Sequence, residues 1–337
     1  MADSLEQRSL STKGCYVANT GGSTGVPLSF YKSRAHQIKE MAYYHDAWSR
    51  FGYTKSDIRL QLVGRSKSQD IEYDITRNRL TAGVYMPLDK LLDQLSIISK
   101  NITASFLQGY PSVLYELALY LEDNPAPFKS LGLKDSLKGV FLNSEYPYPE
   151  FRKKIEDVFG VKSLASYGHT EGCVLAFDYG NTEYEVYQSY GFAEVKNING
   201  ENHLIGTTYD NFASPFIRYD TGDIVDNAVF DEDILKSFKM TDGGRSGQYI
   251  IDKSGKKISL TGLIFGKHHE LFNYCSQMQV SQSEKGFATI YYVAPKDSLK
   301  DKSPNDLFDS KEVDIDFSFE RIDVPFRTKS GKVLLLI

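Results

Sequence analysis

The stretch at residues 139–167, GVFLNSEYPYPEFRKKIEDVFGVKSLASY, reads as strand, helix, strand. Residues 139–142 are a short apolar run. Phe151, Ile155, Val158 and Phe159 then fall on one stripe of a helix expected over 147–159, and Gly160 suits a left-handed cap. Residues 161–167 follow at once as a second strand. Strands joined through a helix are parallel neighbours. This is therefore an α/β unit, and the loops beyond such strand ends are where open α/β sheets hold ligands.

Upstream, the alternating Leu28 and Phe30 lead into a helix-like run over about 33–50. Leu88, Leu91, Leu92, Leu95 and Ile98 have helical spacing, as do Val113, Leu114, Leu117, Ala118 and Leu121, with Pro111 placed for a first turn. Both apolar faces are expected to pack on a sheet. From Tyr184 the pattern becomes extended, with strands over 192–195 and 204–209 separated by a turn at 197–202. Beyond Gly244, a turn at Asp252-Lys253-Ser254-Gly255 joins strands over 249–251 and 257–260, and further strand signals lie at 289–293 and 316–322. Residues 296–310 read as a loop or short helix. The expected architecture is α/β: a large domain with mixed sheets over residues 1–244, and a small mobile α+β domain over 245–337.

Composition narrows the function. A net charge of -5 gives no basic surface for nucleic acid. Cys15, Cys173 and Cys275 are odd in number and widely spaced, which speaks against a disulfide framework and fits a cytoplasmic protein. Apolar runs such as 333–337 are too short to cross a bilayer, so no membrane partner is expected. Small-molecule chemistry remains.

Asn19-Thr20-Gly21-Gly22-Ser23-Thr24-Gly25-Val26-Pro27 offers hydroxyls and glycines that let backbone N–H groups approach an anion, with phosphate the natural guest. It lacks the GK[ST] ending of a Walker A loop. Alone, such a loop is more often a plain connector. Four further segments follow it in order: Tyr167-Gly168-His169-Thr170-Glu171-Gly172, Arg218-Tyr219-Asp220-Thr221-Gly222-Asp223, Gly243-Gly244-Arg245 and Thr328-Lys329-Ser330-Gly331-Lys332. Each is weak by itself. As an ordered set they resemble the adenylate-forming superfamily of acyl- and aryl-CoA synthetases. Within it, the hydroxyl loop, Gln108-Gly109-Tyr110-Pro111-Ser112 and Asn143-Ser144-Glu145 are similar to the phenylacetate-CoA ligase-like branch, particularly its members from capsule and polysaccharide biosynthesis clusters. The resemblance spans residues 19–332.

The resemblance implies an enzyme that joins ATP and a small-molecule carboxylic acid into an acyl-adenylate. The acyl group then passes to coenzyme A or to an amine or hydroxyl acceptor. It places Thr20, Gly21, Gly22, Ser23, Thr24 and Gly25 on the ATP phosphates and Thr170 on the α-phosphate. Glu171 would hold Mg²⁺, an oxygen-seeking cation. Ser144, Glu145 and Tyr167 would lie at adenine, and Asp223 on the ribose diol, which suits an acceptor-only carboxylate. Arg245 falls at the hinge and would contact ribose or phosphate, and Lys332 would arrive from the small domain to stabilise the charge developing at the α-phosphate.

Blander readings stand beside these. A lysine near a C-terminus is commonly a solvated charge, Glu171 and Asp223 suit turns, Tyr167 could serve the core, and His169 reads as a satisfied loop residue. Cys173 is read as buried packing. Some relatives carry a metal-binding Cys and His cluster near this point, but residues 173–190 hold no histidine and no second cysteine, so no structural zinc is expected.

The chain departs from the family pattern in beginning close ahead of the hydroxyl loop and in carrying Leu28 after Pro27, where many members have lysine. The first departure raises an alternative: a truncated or partner-dependent nucleotide-binding protein without independent turnover.

Overall fold

The computed structural model describes residues 13–19, 28–63, 70–84, 86–125, 133–245, 249–264, 269–300, 302–311, 313–328 and 333–337. Near the start, β1 (Cys15–Asn19) and β2 (Ser29–Ser33) pair antiparallel. Ser33 then caps α1 (Arg34–Ser49), its hydroxyl accepting from the His36 N–H at 3.1 Å. Next come β3 (Arg59–Val63), β4 (Glu72–Asp74), β5 (Arg79–Gly83), α2 (Leu88–Ile98), β6 (Phe106–Gly109), α3 (Pro111–Asp123), β7 (Gly139–Asn143), α4 (Pro149–Phe159) and β8 (Ser163–Gly168). The antiparallel part continues with β9 (Leu175–Asp178), β10 (Tyr184–Val186), β11 (Gly191–Ile198), β12 (Glu201–Thr208), β13 (Tyr219–Asp231) and β14 (Ile234–Arg245).

All but the first two of these strands form a twelve-stranded mixed sheet, ordered β11-β12-β13-β14-β10-β9-β8-β7-β6-β3-β5-β4. Strands β8, β7, β6, β3 and β5 run parallel. The pairs from β8 through β9, β10, β14, β13 and β12 to β11 are antiparallel. The parallel centre is covered on both faces, which is why its strands read as continuous apolar runs. Alternation still sorts their side chains by face. Leu107, Val140, Leu142 and Ala165 pack with Leu95, Leu114, Leu117, Ile155 and Phe159 from α2, α3 and α4. Their neighbours Phe106, Phe141 and Leu164 join Trp48 of α1 in a separate aromatic core. There the Trp48 and Phe141 rings stack at 4.7 Å, with the Arg59 guanidinium 4.5 Å from the Trp48 ring centroid.

Helix α4 begins at Pro149, two residues later than the expected Pro147. Tyr148 is extended, with φ −47° and ψ 136°, because a residue preceding proline is pushed out of the helical region. Gly160 closes the helix with φ 70°, the left-handed cap expected of it. The hairpin of β13 and β14 was not legible in the sequence, because its apolar residues are interrupted by Asp220, Asp223, Asp226 and Asp231.

Towards the C-terminus, β15 (Tyr249–Ile251) and β16 (Lys257–Ser259) form a hairpin. After α5 (Leu260–Ile264), β17 (Gln277–Glu284), β18 (Phe287–Val293) and β19 (Asp316–Ile322) form a three-stranded sheet with β18 and β19 parallel. Ile250, Leu263, Met278, Val280, Ile290 and Phe308 belong to a core of their own. The chain end adds to it: the Val280 N–H donates to the Leu335 carbonyl at 2.7 Å and the Ile337 N–H to the Val280 carbonyl at 2.9 Å.

One buried ion pair ties α4 to the sheet. Arg152 pairs with Asp178 of β9 and also donates from Nε to Ser163 Oγ at 2.8 Å and from Nη2 to the Ser163 carbonyl at 2.6 Å. Asp178 Oδ1 accepts from the backbone N–H groups of Gly180, Asn181 and Thr182. Removing one partner strands a buried charge. Arg152→Met is expected to lower stability by about 3–5 kcal/mol, read from the denaturant midpoint. A loss below about 1 kcal/mol would mean that Asp178 does not depend on this arginine.

Candidate active site

Three parallel strands, β6, β7 and β8, end at one edge of the sheet, and Ser144, Glu145, Tyr167, Thr170 and Glu171 lie on or just beyond those ends. Asn143 of β7 pairs with Ser166 of β8, so Ser144 and Tyr167 are the next residues along adjacent strands. Ser144 turns the chain with φ 67°. Loop 169–172 follows β8 and ends at Gly172, with φ 72°. A Cβ there would come within 2.5 Å of His36 Nε2, so the turn requires glycine on both conformational and steric grounds.

Strand β13 holds the end of β8 and this loop at two points four residues apart. The Tyr167 hydroxyl donates to Asp223 Oδ2 at 2.6 Å, and the Tyr219 hydroxyl donates to Glu171 Oε1 at 2.7 Å. His169 Nδ1 lies 3.2 Å from Glu171 Oε2. Tyr167 thus meets Asp223 directly, and Glu171 is joined to the same strand through Tyr219. The backbone of Arg245 pairs opposite Asp223; its side chain lies outside the described residues. So do Thr20, Gly21, Gly22, Ser23, Thr24, Gly25 and Lys332.

Glu145 is engaged by backbone donors. Its Oε2 accepts from the Ser112 N–H at 3.2 Å and its Oε1 from the Val333 N–H at 2.8 Å. Sequence reading had placed this carboxylate beside a base, and the structure adds that it reaches the C-terminal segment.

Beneath loop 169–172 lies a buried polar network that sequence reading missed. Lys32 Nζ donates to Glu40 Oε2 at 3.0 Å and to the Thr170 carbonyl at 3.3 Å, while Tyr190 donates to Glu40 Oε2 at 2.6 Å. Burial alone would push the Glu40 carboxyl up. His36, Lys32 and Tyr190 outweigh it and hold Glu40 at about 2. Lys32 and His36 lie close to Glu40 in sequence, but Tyr190 and Thr170 are 150 and 138 residues from their partners, which hid the network. Tyr219 was hidden differently, inside a quoted motif but with no signal for its partner.

Glu171 follows the same pattern. Burial raises its carboxyl, but hydrogen bonding and charge from His169, together with the Tyr219 hydroxyl, hold it down to about 2. Burial and the Glu171 carboxylate in turn push the Tyr219 hydroxyl up. Glu171 is therefore an ionised, oxygen-rich group at neutral pH. Among the described residues no cluster of three or more His, Cys, Asp or Glu side chains could cage a metal. A lone carboxylate nonetheless suits Mg²⁺ carried on phosphates, because that ion is commonly held by one or two carboxylates plus its substrate.

Three buried polar atoms at these strand ends have no hydrogen-bond partner among the described residues: Ser112 Oγ, Asn143 Oδ1 and His169 Nε2. Buried polar groups are normally satisfied, so each calls for an explanation. A polar ligand at the strand ends supplies one.

Glu171 has a folded-state pKa below its unfolded value near 4.5, so it stabilises the fold above about pH 4.5 and loses that contribution as pH falls towards about 2. Glu171→Gln is expected to flatten the fall of the denaturant midpoint between pH 5 and pH 3. Parallel curves for parent and variant would remove the assigned ionisation.

No family model matches the sequence. Protein CapK of Staphylococcus aureus is 26% identical over 215 residues, covering 61% of this chain and 47% of CapK, so the chain spans about half the length of this curated relative. Among solved structures, a 2-hydroxyisobutyryl-CoA ligase in the postadenylation state with R3-HIB-AMP aligns with a TM-score of 0.69 and 15% identity, over 97% of this chain and 74% of that one. The same ligase with 2-HIB-AMP and CoA in the thioesterification state gives 0.51 and 14%, over the same 97% and 74%. ATP-bound MatB from Rhodopseudomonas palustris gives 0.55 and 14%, over 94% and 66%. The resemblance carried by the ordered motifs holds at the level of architecture: this chain has the fold of the adenylate-forming, AMP-forming ligases.

Proposed function

We propose that the chain is an AMP-forming carboxylate ligase of the phenylacetate-CoA ligase-like kind. The observation that carries this reading is the set of unpartnered buried polar atoms at the ends of β6, β7 and β8, beside the Tyr167–Asp223 and Glu171–Tyr219 pairs. Strand ends of this type are where open α/β sheets hold nucleotides. The solved ligase of the same fold holds an acyl-AMP.

In the first step a carboxylate oxygen attacks the α-phosphorus of ATP and the bond to the bridging oxygen breaks, giving acyl-AMP and pyrophosphate. Asp223 accepts from the ribose hydroxyls, while Tyr167, its hydroxyl anchored on Asp223, presents a ring face to adenine beside Ser144 and Glu145. Thr170 meets the α-phosphate, with its backbone fixed from below by Lys32. The loop at residues 20–25 cradles the outer phosphates. Glu171 would hold Mg²⁺, whose chemistry there is to spread the charge of the departing pyrophosphate. Lys332, from a small domain beginning near Arg245, meets the charge that develops between carboxylate and phosphate. In the second step a thiol, amine or hydroxyl attacks the acyl carbon, AMP leaves and the acceptor's proton passes to solvent. Coenzyme A is the acceptor suggested by the solved relatives. The likeness to CapK supports an acid or acceptor from capsule or polysaccharide synthesis. No helix among the described residues is long and apolar enough to cross a membrane, and we place the reaction in the cytoplasm, where ATP is supplied.

The deciding experiment is Mg²⁺- and ATP-dependent pyrophosphate release across aromatic, fatty, amino and sugar acids, with hydroxylamine trapping acyl-adenylates. Release with one acid class is the expected result. ATP binding without release from any acid would select a nucleotide-binding protein that lacks independent turnover. Lys332→Ala is expected to lower adenylation by about 10²–10³-fold while ATP affinity stays within about twofold. Asp223→Ala should weaken ATP binding itself by about tenfold or more, as loss of hydrogen bonds to a charged group does. Titration calorimetry of both variants checks the division of roles, and unchanged ATP affinity in Asp223→Ala would remove the ribose assignment.

A further inference from the structure

Segment 328–332, which carries Lys332, is flanked by Arg327 and Val333, and these two residues pair with each other in an isolated antiparallel bridge. Each flank is gripped by a carboxylate from the large sheet's layer. Arg327 Nη2 donates to both oxygens of Glu116 on α3 at 2.8 Å each, and Gln277 Nε2 donates to Glu116 Oε1 at 2.8 Å. The Val333 N–H donates to Glu145 Oε1 at 2.8 Å, while Glu145 Oε2 accepts from the Ser112 N–H in the first turn of α3. The two grips therefore share one helix as their base.

The chemistry of the grips suits a junction that must hold and then release. Arg327 is 11% and Glu116 24% exposed at the side chain, sheltered enough for the pair to exceed a solvated surface bridge. Burial pushes the Glu116 carboxyl up despite Arg327 and Gln277, so this carboxylate is costly to leave without its partners. Separation returns guanidinium, carboxylates and amide to water, which hydrates each of them well. Junctions between domains of one chain are typically polar for this reason. One solved ligase aligns with a TM-score of 0.69 in its postadenylation state and 0.51 in its thioesterification state.

We infer that Glu116 and Glu145 are positioning residues that clamp the two flanks of segment 328–332 and hold the C-terminal unit in the arrangement used for adenylation. Breaking both grips frees that unit for acyl transfer. The clamp stands on geometry alone, and its catalytic consequence rests on the proposed ligase reading.

Pulsed electron paramagnetic resonance on the full chain tests it, with Cys15 replaced by Ser and spin labels at Asp123→Cys and Asp323→Cys, without substrates. The parent is expected to give one narrow distance distribution, and Glu116→Gln combined with Glu145→Gln a broadened or shifted one. An unchanged distribution overturns the clamp. The charge-swapped pair Glu116→Arg with Arg327→Glu guards against general damage, because it rebuilds the ion pair in reverse. It is expected to restore the narrow distribution at the α3 grip, and failure to do so in a folded variant counts against an electrostatic clamp. In the half-reactions, Glu116→Gln alone is expected to slow adenylation at least tenfold while transfer from preformed acyl-AMP is kept. A distance change with both half-reactions slowed equally overturns the positioning role, and a distance change with no acyl-AMP made even by the parent sinks the ligase reading while the clamp survives.

Discussion

The backbone ladder between β7 and β8 sets the terms for everything at the site. Its parallel register puts Asn143 against Ser166, and the loops that continue both strands must then open side by side. A parallel pair cannot close with a short hairpin. The chain between the strands is spent on α4, whose Arg152 is bonded back to Ser163 and Asp178. The same geometry that buries the helix stripe leaves both strand ends pointing to one edge, where backbone turns can be given to ligand contacts.

At that edge the recurring problem is how to keep carboxylates charged away from water. Glu40, Glu171 and Asp223 are met by tyrosine hydroxyls, by Lys32 and by histidine. Tyrosine is well suited, since its ring joins the apolar core while its hydroxyl donates outward. For Glu40 and Glu171 these donors more than offset desolvation, leaving anionic groups pre-oriented before any substrate arrives. That is the arrangement from which electrostatic catalysis draws, because no reorganisation is needed when charge moves. The layer under Thr170 extends the same logic: a buried lysine fixes a backbone carbonyl and so fixes the loop bearing Thr170 and Glu171.

The two hydrophobic cores of the large sheet and the core around β17 and β18 are separate clusters, and the C-terminal segment reaches α3 through directed hydrogen bonds. Apolar burial is non-directional and tolerates sliding. The charge-assisted contact of Arg327 Nη2 with both oxygens of Glu116 is directional by comparison. The junction combines these directed contacts with the Tyr148 ring, which packs against the C-terminal core.

The sequence by itself determined the local elements and the ordered motifs. The helical stripes of α2, α3 and α4, the cap at Gly160, the strand pair read at 139–142 and 161–167, and the turn at 252–255 all follow from apolar period and backbone permission, which act within a few residues. The resemblance rested equally on order along the chain. Only the tertiary structure decided who meets whom. Glu171 with Tyr219, Glu40 with Lys32 and Tyr190, and Glu116 with Arg327 join positions 8, 48, 150 and 211 residues apart. The hairpin of β13 and β14 escaped because its acidic residues break the alternation while its partners lie on β10 and β12. The physical reason is common to all: the free energy of a buried carboxylate depends on donors brought to it by the whole fold, and a linear pattern records the donor and the acceptor but not their distance.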